Sequence, residues 1–322
     1  MIDPLDMPTL FDRIDRGLLR FTGPKAAWFL DQLVTNDIEH LDDERGAEAL
    51  LLTPKGKITS AMRVIVNGGS VYADVAADHS KSLTVFLEGR IFATQVEVED
   101  VSDEFHLLSV FGPRSRETVG EVLQRMHMPE LEHENCAFGG GLLISVARPV
   151  DGVDLWVRAE RLDEVRSSLL KGGISPGSED LLTDIQIISG FAVMGRDYDE
   201  TFLTQEAAME HAVHFHKGCY LGQEAVAMAQ RGRVKKRLRH LVFDGRGAVG
   251  PVENEGDVVG EVKSFAAVGG QSFAIASIKT SVELGSRVKV GEAMASVHEL
   301  PGTAEGERGP DARALREKLT AE

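Results

Sequence analysis

The stretch "HAVHFHKGCYLGQEAV", residues 211–226, contains three of the ten histidines and one of the two cysteines of this 322-residue chain. It also contains a lysine, two glycines and a Gln-Glu pair. Such side chains occur in metal sites, in nucleophilic or redox thiol sites and in ordinary approaches to a helix. The remainder of the sequence is needed to distinguish among these interpretations.

The charge balance limits the class of ligand. The chain has 35 basic and 51 acidic residues, a formal net charge of −16. An acidic surface repels nucleic acid and anionic membranes, so we expect neither as a partner. A small anion can still bind at a local basic patch.

The cysteine content and the termini indicate a compartment. Cys136 and Cys219 are too few to form a disulfide framework and suit a reducing environment. Residues 1–17 lack the apolar core of a signal peptide. No run reaches the roughly 18 apolar residues of a membrane span. We therefore expect a cytoplasmic monomer.

The hydrophobic pattern predicts an α+β chain with several domains. Ala27, Leu30 and Val34 form the buried stripe of a helix that ends at Thr35-Asn36-Asp37. Asn67-Gly68 predicts a hairpin turn, since both central positions of a type I′ turn favour positive φ. Residues 78–91 predict another helix.

The second half of the chain changes its pattern twice. The β-α-β-β-α order after Phe105 is typical of a ferredoxin-like layer. The short, glycine-separated β runs after Leu238 predict a barrel or sandwich. We predict a discontinuous α+β domain, a ferredoxin-like domain, a C-terminal β-barrel domain and a polar tail, at residues 1–104 with 178–236, 105–177, 237–302 and 303–322.

A metal site is one interpretation of the opening stretch. His211, His214, His216 and Cys219 are residue types that bind zinc. Their spacing is poor, because His211 and His214 share a helix face while His216 points elsewhere. We therefore expect histidines that are ordinary, partly buried side chains, and no metal.

Cys219 has two interpretations. Lys217 and the N-terminus of a following helix, "GQEAVAMAQ", would both stabilise a thiolate. Gly218 and Gly222 would let the backbone turn and leave the thiol accessible. The alternative is a small buried apolar side chain in a tight turn. Cys136 has no comparable surroundings.

A basic run follows in "RGRVKKRLRH", residues 231–240. It contains six cations and no acidic residue. One interpretation is a solvated strand edge protected by charge. The other is a seat for a carboxylate or phosphate tail, which guanidinium groups bind in bidentate fashion.

The segment "KGCYLGQEAVA", residues 217–227, resembles the K-G-C-Y-x-G-Q-E signature of the YgfZ-type folate-binding proteins. These are relatives of the T-protein of the glycine cleavage system and are associated with iron–sulfur cluster assembly or repair. Other parts of the chain are similar to the same family, namely "FTGPKAAWFLDQLVTNDIEHL", "LLTPKGKI", "SVFGPRS", "SGFAVMGRDYDETFLTQEA" and "GDVVGEVKSFA". Only the tail after Pro301 lies outside the resemblance.

The resemblance implies a three-lobed fold around a central channel that accepts a tetrahydrofolate. It implies that Lys217, Cys219 and Tyr220 lie near this channel, within a motif completed by Gly218, Gly222, Gln223 and Glu224. For the basic run it suggests that Arg237, with Lys236 beside it, contacts the glutamate carboxylates of the folate.

Two positions depart from the T-protein pattern. Ser60-Ala61 stands where the T-protein has paired aspartates, and alanine cannot act as a general acid or base. Ile188 stands where the T-protein has a carboxylate for the pteridine edge, which would then need another acceptor. Both departures argue against aminomethyltransferase activity.

The sequence therefore leaves three hypotheses. The first is a folate-dependent accessory factor of iron–sulfur protein maturation, with client or assembly proteins as partners and Cys219 as its thiol. The second is a one-carbon transferase or demethylase, whose base would come from Asp197, Asp199 or Glu200 unless these form a solvated acidic loop. The third is a non-catalytic scaffold that binds a protein partner.

Overall fold

The computed structural model describes residues 5–92, 95–232 and 234–300, which form two antiparallel-rich sheets and one closed barrel. The strands are β1 (Thr9–Asp12), β2 (Arg16–Thr22), β3 (Gly46–Leu52), β4 (Ile58–Asn67), β5 (Ser70–Ala76), β6 (Glu97–Asp100), β7 (Phe105–Phe111), β8 (Asn135–Phe138), β9 (Gly141–Val146), β10 (Gly152–Arg158), β11 (Ser175–Pro176), β12 (Lys236–Phe243), β13 (Pro251–Asn254), β14 (Asp257–Val268), β15 (Gln271–Lys279), β16 (Arg287–Val290) and β17 (Ala293–His298). The helices are α1 (Ala26–Asp31), α2 (Ser80–Glu88), α3 (Ser115–Val122), α4 (Leu162–Lys171), α5 (Glu179–Ile188) and α6 (Gln223–Arg231).

The first sheet has the strand order β3-β4-β5-β2-β6. Helices α1 and α2 pack against it through Leu30 and Leu83, which belong to the same buried cluster as Phe21 and Val64 of the strands. The predicted hairpin is present one residue further along. Asn67 pairs with Ser70, so the turn residues are Gly68 and Gly69, both with positive φ. A glycine at each position makes this register the less strained one.

The second sheet has the order β11-β1-β7-β10-β9-β8, with α3 and α4 packed against it. Its elements β7 to α4 follow the predicted β-α-β-β-α order with one additional strand, β8. Strand β1 was expected in the first domain, but it pairs with β7 and β11. The predicted boundary at residue 104 therefore does not separate the two sheets completely.

The C-terminal strands form a closed barrel in the order β12-β15-β14-β13-β16-β17, and pairing of β12 with β17 completes it. This confirms the predicted α+β fold with two mixed units and a C-terminal barrel. The predicted tail, residues 303–322, lies outside the described residues. Within the described ranges, no helix has the length and apolar character needed to cross a bilayer.

A buried ion network joins the first two sheets. Arg63 of β4 lies 2.6 Å from Asp74 of β5 and 2.7 Å from Asp154 of β10. Arg16 binds Asp74 at 2.7 Å, and Ser109 donates to Asp154. Burial alone would raise the pKa of Asp74, but Arg16 and Arg63 outweigh it and hold that pKa below its ordinary value. Asp74 therefore remains charged at neutral pH, and Arg63 lies between it and Asp154 as their shared cation.

We expect Arg63→Met to lower the free energy of unfolding by about 3–5 kcal/mol, because it leaves buried carboxylates without their cation. Urea unfolding at pH 7 measures this loss. The matched control is Arg20→Met, which breaks the more exposed Arg20–Glu99 pair and should change the stability by less than about 1 kcal/mol. Equal urea midpoints for the two variants would contradict the structural role of Arg63.

A buried histidine connects the barrel to α5. His240 of β12 has Nε2 3.0 Å from the carbonyl oxygen of Ile187, and its ring stacks on Phe273. Burial lowers the pKa of His240 to about 4. His240 therefore binds a proton less readily in the folded state than in the unfolded chain, where the pKa of a histidine is about 6.5.

We expect this histidine to stabilise the protein above pH 6.5 and to lose that contribution as the pH falls towards 4, on the order of 3 kcal/mol in all. The variant His240→Gln can still donate to Ile187 but does not titrate, so its stability should depend less on pH in this window. Thermal unfolding at several pH values compares it with His127→Gln, a change at an exposed histidine. A pH dependence identical in all three proteins would exclude His240 as the titrating group.

Candidate functional site

A cavity of about 550 Å³ lies where the two sheets, α5 and the loop before the K-G-C-Y motif meet. Its volume falls within the range of about 300–1,000 Å³ typical of small-molecule sites. Its lining includes apolar side chains, ion-paired cations and four carboxylates. The apolar and aromatic members include Met62, Phe191, Met194 and Tyr198, and the carboxylates belong to Asp15, Glu48, Asp78 and Glu179.

Strand β4 supplies one wall of this cavity through Ser60, Ala61 and Met62. The two positions that the family resemblance compares with the paired aspartates of the T-protein therefore do face the cavity. Neither carries a carboxylate. Ile188 packs with Ile187, Ala266 and Phe273 in the cluster between α5 and the barrel, and it is not among the lining residues.

Charged groups that no sequence pattern predicted form a second wall of the cavity. Glu48 of β3 accepts hydrogen bonds on Oε2 from Arg148 at 2.7 Å and lies 2.6 Å from His211 Nε2. Arg148 also binds Glu132 at 3.2 Å. Burial would raise the pKa of Glu48, but Arg148 and His211 outweigh it and hold that pKa well below its ordinary value. An anionic carboxylate and an imidazole thus face the cavity.

Lys217 has a different position from the one predicted. Its side chain is only 2% exposed, and Nζ lies within 3.1 Å of Asp31 Oδ1 and of the carbonyl oxygens of Asp31, Val34 and Asn36. Burial lowers the pKa of this ammonium against the attraction of Asp31. Lys217 therefore fastens the motif to the end of α1, and Asp31 neutralises the charge that was expected to activate Cys219.

Cys219 is exposed and free, and α6 begins at Gln223 after Gly222. Gly222 has φ +84°, and an added Cβ would lie 2.6 Å from the Thr53 carbonyl oxygen. Only glycine allows this contact between the motif and the turn after β3. An added Cβ at Gly218 would meet no atom within 4 Å, so its predicted steric role is not supported.

The remaining motif residues separate into buried and exposed groups. Tyr220 is 9% exposed and burial raises its pKa. It shares a cluster with Ala207, Ala208 and Tyr198, which line the cavity. Gln223 donates to the Gly218 carbonyl at 3.3 Å, and Glu224 is exposed. Tyr220 thus packs behind the cavity wall while Cys219 faces solvent.

The basic run does not line the cavity in the described residues. Arg237 pairs with Glu210 and lies 3.7 Å from Glu299, and Arg239 binds Glu299 at 2.6 Å. Lys236 lies over the ring of Phe202 at 4.2 Å. A folate carboxylate would have to displace Glu210 to reach Arg237. Arg233 lies outside the described residues.

The acidic loop supplies no base to the cavity. Asp197 is 1% exposed and accepts hydrogen bonds from the Val193 amide, Arg196 and Ser264. Asp199 and Glu200 are exposed, and Asp199 accepts from Thr201. None of these three carboxylates is among the lining residues. Asp197 instead joins this loop to the barrel.

The three histidines of the motif region lie in different surroundings. Only the 3-10 turn Glu210–Ala212 is helical here, so His211 and His214 do not share a helix face. His211 lines the cavity, whereas the exposed rings of His214 and His216 lie 6.4 Å apart. Across the described ranges, no group of three or more His, Cys, Asp or Glu residues could hold a metal ion.

Known proteins share both sequence and fold with this chain. An aminomethyltransferase of Rubrobacter xylanophilus is 26% identical over 304 residues, covering 88% of this chain and 79% of the relative. A chloroplastic protein of Arabidopsis thaliana, which is named as a transferase without a stated substrate, is 25% identical over 314 residues. The matched region covers 88% of this chain and 69% of the relative.

The crystal structure of the glycine cleavage system aminomethyltransferase T from Bartonella henselae has the same fold. It superposes with a TM-score of 0.83 at 19% identity, covering 94% of this chain and 88% of the other. The family described as GCVT N-terminal domain matches residues 8–217, which include β1 to α5 and the loop as far as Lys217. The chain therefore belongs to the GCVT family.

Proposed function

We propose that this protein binds a tetrahydrofolate in the central cavity and acts as an accessory factor in the maturation of iron–sulfur proteins. The observation that carries the proposal is the cavity itself. Its volume suits a small organic ligand, and Met62, Phe191 and Tyr198 offer apolar surface to a flat heteroaromatic ring. Guanidinium groups of Arg13 and Arg16 also line it, and a folate carboxylate that binds them would share them with Asp15 and Asp74.

The role in iron–sulfur maturation rests on Cys219. A solvent-exposed thiol can meet a protein partner, and thiolates are the usual ligands of iron–sulfur clusters. The K-G-C-Y segment resembles that of proteins associated with cluster assembly or repair. Tyr220, the residue after Cys219, belongs to the same buried cluster as the lining residues Tyr198 and Ala207, which connects the thiol loop to the cavity wall.

A one-carbon transferase is the second candidate. Two observations favour it, the names of the relatives and the presence of Glu48 and His211 at the cavity. Ala61 argues against it, because the position compared with the acid–base carboxylate is a methyl group. We therefore favour binding without aminomethyl transfer.

We expect 5-formyltetrahydrofolate to bind saturably, and we expect tetrahydrofolate, whose N5 is free to accept a one-carbon unit, to give no methylenetetrahydrofolate from an aminomethyl donor. Loss of general acid–base help alone slows such a transfer by about 10²–10⁴-fold. Calorimetric titration measures binding, and coupled oxidation of any methylenetetrahydrofolate to the methenyl form, which has its own absorbance, measures turnover. The variant Ala61→Phe, which adds a ring to the cavity wall, should abolish binding, whereas Ala137→Phe on β8, outside the lining, should not. Absent binding would refute the folate proposal, and turnover at ordinary enzyme rates would favour the transferase.

We expect Cys219 to be alkylated faster than Cys136 at neutral pH. Cys219 is exposed, whereas burial raises the pKa of Cys136 and Arg125 contacts its sulfur at 3.3 Å. Mass spectrometry after a short iodoacetamide pulse compares the two sites. Cys219→Ser should fold normally and fail to complement a strain that lacks the protein, while Cys136→Ser should complement it. Full complementation by Cys219→Ser would remove the thiol from the function.

A further inference from the structure

The two oxygens of the Glu48 carboxylate differ in their hydrogen-bond partners. Its Oε2 accepts from Arg148 Nη2 at 2.7 Å and lies 2.6 Å from His211 Nε2. Its Oε1 makes no hydrogen bond to any residue in the described ranges. This oxygen is not enclosed by protein atoms, so a ligand can reach it. Because Glu48 lines the cavity, this oxygen is an open acceptor at the edge of the ligand space.

The other carboxylates of the lining differ from Glu48. Asp15 accepts from Arg13 with both oxygens, at 2.9 Å each. Asp78 and Glu179 are exposed at the rim, where water competes for their lone pairs. Glu48, with a side chain only 19% exposed, combines fixed position with an unused oxygen. A hydrogen bond to a charged, partly desolvated acceptor is stronger than one formed in water.

Ile188 of α5 packs away from the cavity and is not among its lining residues. A 2-amino-4-oxopyrimidine ring presents an exocyclic amine and a ring N–H as neighbouring donors. If such a ring enters this cavity, an acceptor must satisfy these donors, since an unpaired buried donor costs binding free energy.

We propose that Glu48, held by Arg148 and His211, is the carboxylate that accepts the donor edge of a 2-amino-4-oxopyrimidine ring, with Oε1 as the acceptor atom. This inference rests on the proposed folate binding and names the group that reads the pterin. Arg148 and His211 are positioning residues, because they occupy Oε2 and leave Oε1 to the ligand.

The first test compares two ligands on the wild-type protein. Calorimetric titration with 5-formyltetrahydrofolate and with its 2-desamino analogue should show roughly 10- to 100-fold weaker binding of the analogue. No variant is needed, so folding cannot obscure the result. Equal affinity for the two ligands would overturn the proposal, whereas absence of binding by either would refute the proposed folate binding itself.

The second test assigns the contact to Glu48. The variant Glu48→Gln keeps the side-chain size, and Arg148 keeps Glu132 as a partner. It should bind 5-formyltetrahydrofolate about 10-fold or more weakly and should bind the 2-desamino analogue as the wild type does. Glu99→Gln is the matched control, since this carboxylate of β6 also pairs with an arginine, Arg20, but is not among the lining residues, and it should leave both affinities unchanged. If Glu48→Gln still binds 5-formyltetrahydrofolate more tightly than the 2-desamino analogue by the wild-type ratio, Glu48 is not the acceptor.

Discussion

The contact of Arg63 with Asp74 and Asp154 is the interaction on which the arrangement of the two sheets depends. One guanidinium joins adjacent strands of the first sheet to a central strand of the second. Because all three groups are at most 10% exposed, each requires the others for charge compensation. Arg63 also lines the cavity, so the group that fixes the sheets also forms part of the wall around the ligand space.

A second buried cation positions the motif. The Lys217 ammonium donates hydrogen bonds to the carboxylate and the carbonyl oxygen of Asp31 at the end of α1 and to the carbonyl oxygen of Asn36. Thr35 donates to the carbonyl of Ala212 and accepts from the amide of Leu50, which joins the loop to β3. The K-G-C-Y segment is thus held on one side by buried polar contacts while Cys219 stays at the surface. The lysine of this segment serves to place the thiol.

Local patterns predicted the elements well, because each depends on neighbours in sequence. The burial of Leu30 in α1 and the start of α6 after Gly222 follow from periodicity and backbone freedom. The predicted extent of α1 was wrong, because the helix ends at Asp31 and Val34 lies beyond it in a bridge to Leu51. The ion-pair partner of a charged side chain cannot be predicted from such local patterns. Whether Lys217 faces Cys219 or Asp31, or whether Glu48 meets His211, depends on chain segments more than a hundred residues apart. The sequence accordingly identified the motif and missed the charged cavity wall.

The position of β1 in the second sheet affects folding during synthesis. This strand is synthesised early, yet it lies between β7 and β11, which follow about a hundred or more residues later. Its backbone groups cannot pair within the sheet until those strands leave the ribosome, and such long-range pairing slows folding. Until then β1 is an unpaired strand, a template for association with other chains. Pairing with β7 ends this exposure on one edge of β1, and the later pairing with β11 ends it on the other.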